Sequence, residues 1–290
     1  MKLLVKFNLI YVIVMALGVG VSGYLTRALL VQNAREEVLS NARQLIDKAN
    51  AVRGYTSGQI TKLLETQMKY EFLPQSVPSY SAVEVLGTLL KKYPDYFYKE
   101  ATLNPTNPRD RATGWEVDVV NLFRANAELK EAVGQRDTPT GPSVYLAAPL
   151  RITNPACLQC HSSVEAAPKT MVDKYGPANG FGWNLNEVIG AQVVSVPLAV
   201  PLQRAEKSFN VFIGSLVGVF VVVGVVLNLM IWLVVVRPVT RLSELADRVS
   251  QGDLNAPEFD TGGRDEIGVL AQSFNRMRTS VVQAMKMLES

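Results

Sequence analysis

Two cysteines and one histidine in 290 residues are too few for a disulfide framework, for a zinc site of four Cys/His ligands, or for catalysis that needs a second histidine. Charge is scarce too. Charged residues make up 19% of the chain, against roughly 25% in globular proteins, while 48% are hydrophobic. That balance points to membrane segments. The 29 basic and 26 acidic residues are spread along the chain for a net charge of +3, which leaves no basic surface for a nucleic acid and excludes one as a partner.

Residues 209–236 carry no charge and are flanked by Lys207 and Arg237. As a helix this run is about 42 Å long at 1.5 Å per residue, more than the roughly 30 Å of a hydrocarbon layer. Asn228 within it either joins a helix pair or is merely tolerated by lipid. A second uncharged run, 7–26, lies between Lys6 and Arg27. It reads as a removed signal peptide with GVGVSG as cleavage region, or as a retained anchor. Leu29, Leu30, Ala34, Val38, Leu45, Ala49 and Val52 continue a three-and-four spacing beyond it, so the anchor is expected. Lys2, Lys6, Arg237 and Arg241 place both termini in the cytoplasm by the positive-inside rule. The expected layout is a cytoplasmic start (1–6), a first span (7–26), an extracytoplasmic domain (27–208), a second span (209–236) and a cytoplasmic tail (237–290). This describes an integral protein of a bacterial inner or thylakoid membrane, with the middle domain periplasmic or lumenal.

The middle domain reads as α+β. A long helix is expected over 32–70 until Pro74 and Pro78 break it, with a further helix over 82–92. Strand character marks 96–103, 144–152 and 190–200, a turn-rich loop covers 104–110, and 115–123 suits a short helix.

Between the last two strands lies Cys157-Leu158-Gln159-Cys160-His161. C-x-x-C-H is the attachment sequence of a c-type haem: two thiols add to the vinyl groups on one porphyrin edge, and the next residue supplies a nitrogen to iron. A small disulfide and a thioredoxin-like dithiol are the alternatives. With FLPQSVPSYSAVEV, KKYPDYFYKEATLNPTNPRDRA and GFGWNLNEVIGAQVVSVPL, the motif resembles the PAS-like periplasmic c-haem sensor domains of cyanobacterial and other bacterial transmembrane receptors, over about 33–202. The resemblance implies one covalent haem c per chain packed on a PAS-like sheet, thioethers at Cys157 and Cys160, and His161 as an axial ligand. Members of that family can use a cysteine thiolate as the second axial ligand, and this chain has no third cysteine. Met68 is the candidate in its place, with Met171, another side chain, water or an open position as alternatives. Arg109 and Arg111 are candidates for the haem propionates. Trp183 and Tyr175 either line the ring or pack in the core.

After the second span, Leu242, Leu245 and Val249 suit one short helix, and a connector follows over 252–263. Ile267, Leu270, Phe274, Met277, Val281, Ala284 and Leu288 then repeat three and four apart. Such a seam needs a partner chain. Pro238, Leu254 and the Asp265-Glu266-Ile267-Gly268 turn resemble a HAMP linker, the parallel dimeric four-helix relay of bacterial receptors, over about 237–289. No enzymatic domain is expected after it. The combined reading is a homodimeric haem sensor of redox state or a diatomic gas, relaying to a separate cytoplasmic signalling protein. Its rival is a membrane-anchored c-type cytochrome that serves a redox partner with single electrons.

Overall fold

The computed structural model describes residues 3–138, 141–253, 256–259, 263 and 265–289, with the side chains of 3, 286, 288 and 289 left aside. Lys2, Leu254 and the side chain of Leu288, used above, lie outside the described residues. The chain divides into two compact units, Arg27–Lys207 and Met1–Thr26 with Ser208–Ser290.

The first proline of the sequence is Pro74, and nothing before it removes a backbone donor. Helix α1 accordingly runs without interruption over Leu3–Tyr55. One π-helical turn, Thr56–Ile60, separates it from α2, Thr61–Met68. The Thr61 hydroxyl lies 2.9 Å from the Thr56 carbonyl and 2.7 Å from that of Ser76, which ties the widened turn to the chain that follows. Helix α3 is Pro78–Leu90, strand β1 Phe97–Thr102 and helix α4 Trp115–Ala125. Strands β2 (Ala132–Thr138) and β3 (Gly141–Arg151) precede the short helices α5 (Leu158–His161) and α6 (Lys169–Tyr175). Strand β4 is Val188–Pro197.

The strands form an antiparallel sheet in the order β1-β4-β3-β2, so the last strand lies between the first and third. Strand alternation divides its side chains between two cores. Tyr98, Val144, Leu146, Val194 and Val196 meet α1 and α3 on one face. Val38, Ala42 and Ala49 lie fully buried there, and their small size lets α1 come close to the sheet. On the other face Ala101, Ala147, Ala191 and Val193 meet Val119, Val120 and Phe123 of α4. Burying a side chain of the size of Phe123 or Leu86 stabilises by about 1.5–3 kcal/mol.

Three departures from the sequence reading have local causes. Pro78 begins α3 instead of preceding it, because its fixed φ and missing N–H suit a first helical turn. The segment expected as strand over 190–200 ends at Pro197, and Ala199 already opens a helix with Pro201 in its first turn. Strand β2 carries Gln135, Arg136 and Asp137 at a sheet edge, where charges are common and strand periodicity is weak.

Helix α7, Ala199–Ile231, begins in the first unit, enters the other at Ser208, and passes through a π-helical turn (Trp232–Val236) into α8, Arg237–Ser250. The helical stretches Leu4–Met68 and Ala199–Ser250 each contain a segment long and apolar enough to cross a membrane. Asn8 and Asn228 exchange hydrogen bonds, Nδ2 to Oδ1 at 2.8 Å in one direction and 2.7 Å in the other. The Tyr11 hydroxyl donates to the Phe220 carbonyl. Gly224 permits this approach, since a Cβ there would stand 2.9 Å from the Tyr11 ring. Of the two readings of Asn228, the structure takes the helix pair. Helix α9, Glu266–Glu289, starts where the Asp265 carboxylate accepts from Gly268 N at 2.8 Å, an N-cap. Leu242, Phe259, Ala271 and Phe274 form the small core between α8 and α9. Asn275 holds the backbone of Phe259 through both N–H and carbonyl, at 3.1 and 2.9 Å.

Replacing Asn8 or Asn228 singly by Leu strands a polar amide and is expected to cost about 0.6–2 kcal/mol, while the double replacement recovers part of the loss. A double-mutant cycle on the full chain in bilayers or detergent measures the coupling, and strictly additive effects would contradict the paired geometry.

Candidate functional site

The motif is presented by a compact turn. The Asn154 side chain accepts from Ala156 N at 2.9 Å, Pro155 sits in the first turn, and the chain rolls directly into α5, which carries Cys160 and His161. Cys157 and Cys160 are free and half-buried. Burial raises both thiols above their ordinary pKa; Cys157 adds to the rise at Cys160, and Arg53 of α1 partly offsets it at Cys157.

His161 is oriented through one nitrogen. Its Nδ1 lies 2.7 Å from the Gly180 carbonyl, which can only accept, so Nδ1 carries the proton and Nε2 keeps its lone pair. Burial lowers the imidazole pKa against the opposing bond to Gly180, and the ring is neutral at pH 7. A metal-binding histidine held at its other nitrogen by a backbone carbonyl has this arrangement. The Trp183 indole stacks on the imidazole at 3.9 Å with an interplanar angle of 17°. Trp183 N and Gly182 N donate to the carbonyls of His161 and Ser162, both at 3.1 Å. Gly180 has φ +87°, and a Cβ there would stand 2.0 Å from Thr106 Oγ1, so only glycine places this carbonyl. Asn104 fixes the same loop from both sides: its Oδ1 accepts from Gly180 N at 3.1 Å and its Nδ2 donates to the Phe181 carbonyl at 3.2 Å. Asn104, Thr106 and Gly180 escaped the sequence reading, although two quoted stretches, NPTNPRD and GFGWNL, contain or border them. Their pairing spans some 76 residues of chain and has no periodic signal.

Met68 and the segment around Met171 come together, with Thr170 Oγ1 donating to the Met68 carbonyl at 3.1 Å. The Met68 sulfur faces Leu73 N at 3.2 Å and Ser76 Oγ at 3.3 Å, and Met171 is buried. The two arginines separate. Arg109 is committed to Glu84 and Asp110 and lies over the Tyr80 ring. Arg111 donates to Asn179 Oδ1 at 3.0 Å, one residue from Gly180, and has no carboxylate within 4 Å among the described residues. Tyr175 meets Phe72 edge-on at 5.8 Å. Two free thiols beside a neutral, oriented imidazole suit a c-type haem: Cys157 and Cys160 for the vinyl carbons, His161 Nε2 for the iron.

Beside this site, burial raises Asp110 to about 6, against the pull of Arg109. The folded protein therefore keeps a proton that the unfolded chain releases near 3.8. The resulting stability is full below that value and is lost as pH rises through about 6, a contribution on the order of 2 kcal/mol. Asp110→Asn is expected to gain stability relative to the parent between pH 4 and 7. Thermal melts of both chains across that window test it, and parallel pH profiles would contradict it.

Residues 31–197 match the model of the Tll0287-like family, and residues 230–283 match the HAMP domain. Among solved structures, the crystal structure of the cyanobacterial haem protein Tll0287 is similar at 18% sequence identity, over 56% of this chain and 95% of that one, with a TM-score of 0.41. The family match takes in the sheet, both its cores and the whole Cys157 to Trp183 site, more than half of the 290 residues, and the chain belongs to the Tll0287-like family, with a HAMP domain following.

Proposed function

We propose that this protein is a haem-based transmembrane signal transducer, with one covalent haem c per chain and a homodimeric HAMP relay to a separate cytoplasmic protein. The observation that carries this reading is the His161 imidazole, neutral, fixed at Nδ1 by Gly180 and open at Nε2, directly beside two free thiols in a chain that also carries a HAMP domain. A haem held here would supply a redox-active iron, for which Met68 is the candidate further protein ligand beside His161. His161, stacked on Trp183, would hold the iron, Cys157 and Cys160 would anchor the porphyrin through thioethers, and Arg111 would pair with a propionate. In this reading the domain is PAS-like and extracytoplasmic, the termini are cytoplasmic, and the protein has no enzymatic activity.

Two features support a relay. Strand β4 passes through Leu198 directly into α7, so a shift of the sheet is a shift at the start of that helix. In α9, Leu270, Met277 and Val281 are exposed although Phe274 is covered within the chain, which leaves apolar seam positions for a second copy.

Made with c-haem maturation machinery, the full chain is expected to gain the mass of one haem that survives acid acetone. His161→Ala should keep that mass and lose the spectrum of the proximal ligand. A Cys157 to Cys160 disulfide without haem under those conditions would end this reading. Single cysteines at Leu270 or Met277 should cross-link between copies more than one at Ser273, with a ratio that differs between reduced and oxidised protein. Equal ratios in both redox states and with CO or NO would leave single-electron transfer as the function.

A further inference from the structure

The sheet face opposite α1 carries a cavity of about 670 Å³, with walls from β1, β2, β4 and the start of α4. Its size is that of a small-molecule pocket. It does not belong to the motif site. None of Cys157, Cys160, His161 and Trp183 lines it, and Ser195 of the cavity points away from the Val194 and Val196 face on which α1 packs, by strand alternation.

Ser195 is 3% exposed, and its hydroxyl has no hydrogen-bond partner among the described residues. It lies on the central strand, opposite Phe97 on one side and Tyr145 on the other. A buried hydroxyl left unpaired is costly, and one that lines a cavity calls for a partner inside it.

Among the described residues, the charges around the cavity leave one cation without a carboxylate. Lys99 is neutralised by Glu116 at 2.7 Å, and that carboxylate also takes Thr113 N and Oγ1. Arg109 is held by Glu84 and Asp110. Asp95 is exposed, where water screens it. Arg136 has no carboxylate within 4 Å among the described residues; its guanidinium lies 4.3 Å over the Trp115 ring. Trp115 is itself braced by Tyr145 at 4.8 Å. A stacked guanidinium has a fixed fork that matches a carboxylate bidentately, and the Trp115 and Phe97 rings offer apolar surface beside it.

We infer that this cavity is a binding site for a small organic carboxylate with a planar or apolar body, its carboxylate held by Arg136 and Ser195 Oγ. The ligand would sit on the strand that leads into α7, two residues before that strand ends at Pro197. It gives the chain an input separate from the motif and does not rest on haem binding.

Benzoate is the probe, with benzamide as its uncharged counterpart, titrated calorimetrically into the full chain in detergent. Benzoate is expected to bind saturably and benzamide at least about tenfold more weakly. Arg136→Gln should weaken benzoate about tenfold or more, with partial retention in Arg136→Lys; Ser195→Ala should weaken it several-fold. Free of ligand, Ser195→Ala should melt no lower than the parent, because it removes an unpaired buried hydroxyl. Cys157→Ser/Cys160→Ser should bind benzoate as the parent does. Absence of benzoate binding, equal binding of benzamide, an isotherm unchanged in both Arg136→Gln and Ser195→Ala, or a lower melting temperature of ligand-free Ser195→Ala would each overturn the assignment.

Discussion

A buried carboxylate organises the domain. Glu100 on β1 is 1% exposed, and a carboxyl group so deep needs its oxygens hydrogen-bonded. Arg53 arrives from α1, Ser79 from α3 at 2.6 Å and Tyr98 from its own strand at 2.8 Å. Burial and the neighbouring Glu100 push the Tyr98 phenol far above its ordinary range, so it keeps its proton and donates it to Glu100. Gln192 of β4 completes the set, bonding both Tyr98 and Asn50 of α1 at 3.1 Å. The α1 helix is thereby registered on the sheet within a residue, where apolar packing alone would tolerate sliding.

That registration reaches the site. Arg53 faces Glu100 and also acts on the Cys157 thiol, and the widened helical turn begins three residues later at Thr56. Local π-helical turns often accompany functional sites, because the extra residue redirects the side chains that follow. Here the redirected chain is the one that ends at Met68 and meets Thr170. The second clamp is the loop around Gly180, fixed by Asn104, which decides the imidazole's direction through the Gly180 carbonyl and also bonds the His161 backbone through Trp183 N.

Much of the architecture was legible in linear patterns. The uncharged runs 7–26 and 209–236, the β-branched strands, and the Asp265 cap with its apolar repeat depend on neighbours a few positions apart. The candidate residues Cys157, Cys160 and His161 stand out for the same reason, since C-x-x-C-H is a local spacing. Strand β2 and helix α6 were not, because an edge strand with alternating charge and a seven-residue helix carry little periodicity. Asn228 was ambiguous alone and became definite only opposite Asn8, 220 positions away.

By itself the sequence determined two long apolar helices, a mixed domain between them, a C-x-x-C-H motif and a HAMP-like tail, all of them consequences of short-range spacing and local propensity. The tertiary structure decided the rest. It separated Arg109, spent on Glu84, from Arg111, left beside the His161 loop, though the two share one turn-rich stretch. It gave His161 its tautomer through a glycine carbonyl 19 positions on, and on the far side of the sheet it left Ser195 Oγ unpaired and Arg136 without a carboxylate among the described residues. Each of these depends on which distant groups share a desolvated space, and burial, not spacing, sets the energy of a polar group there.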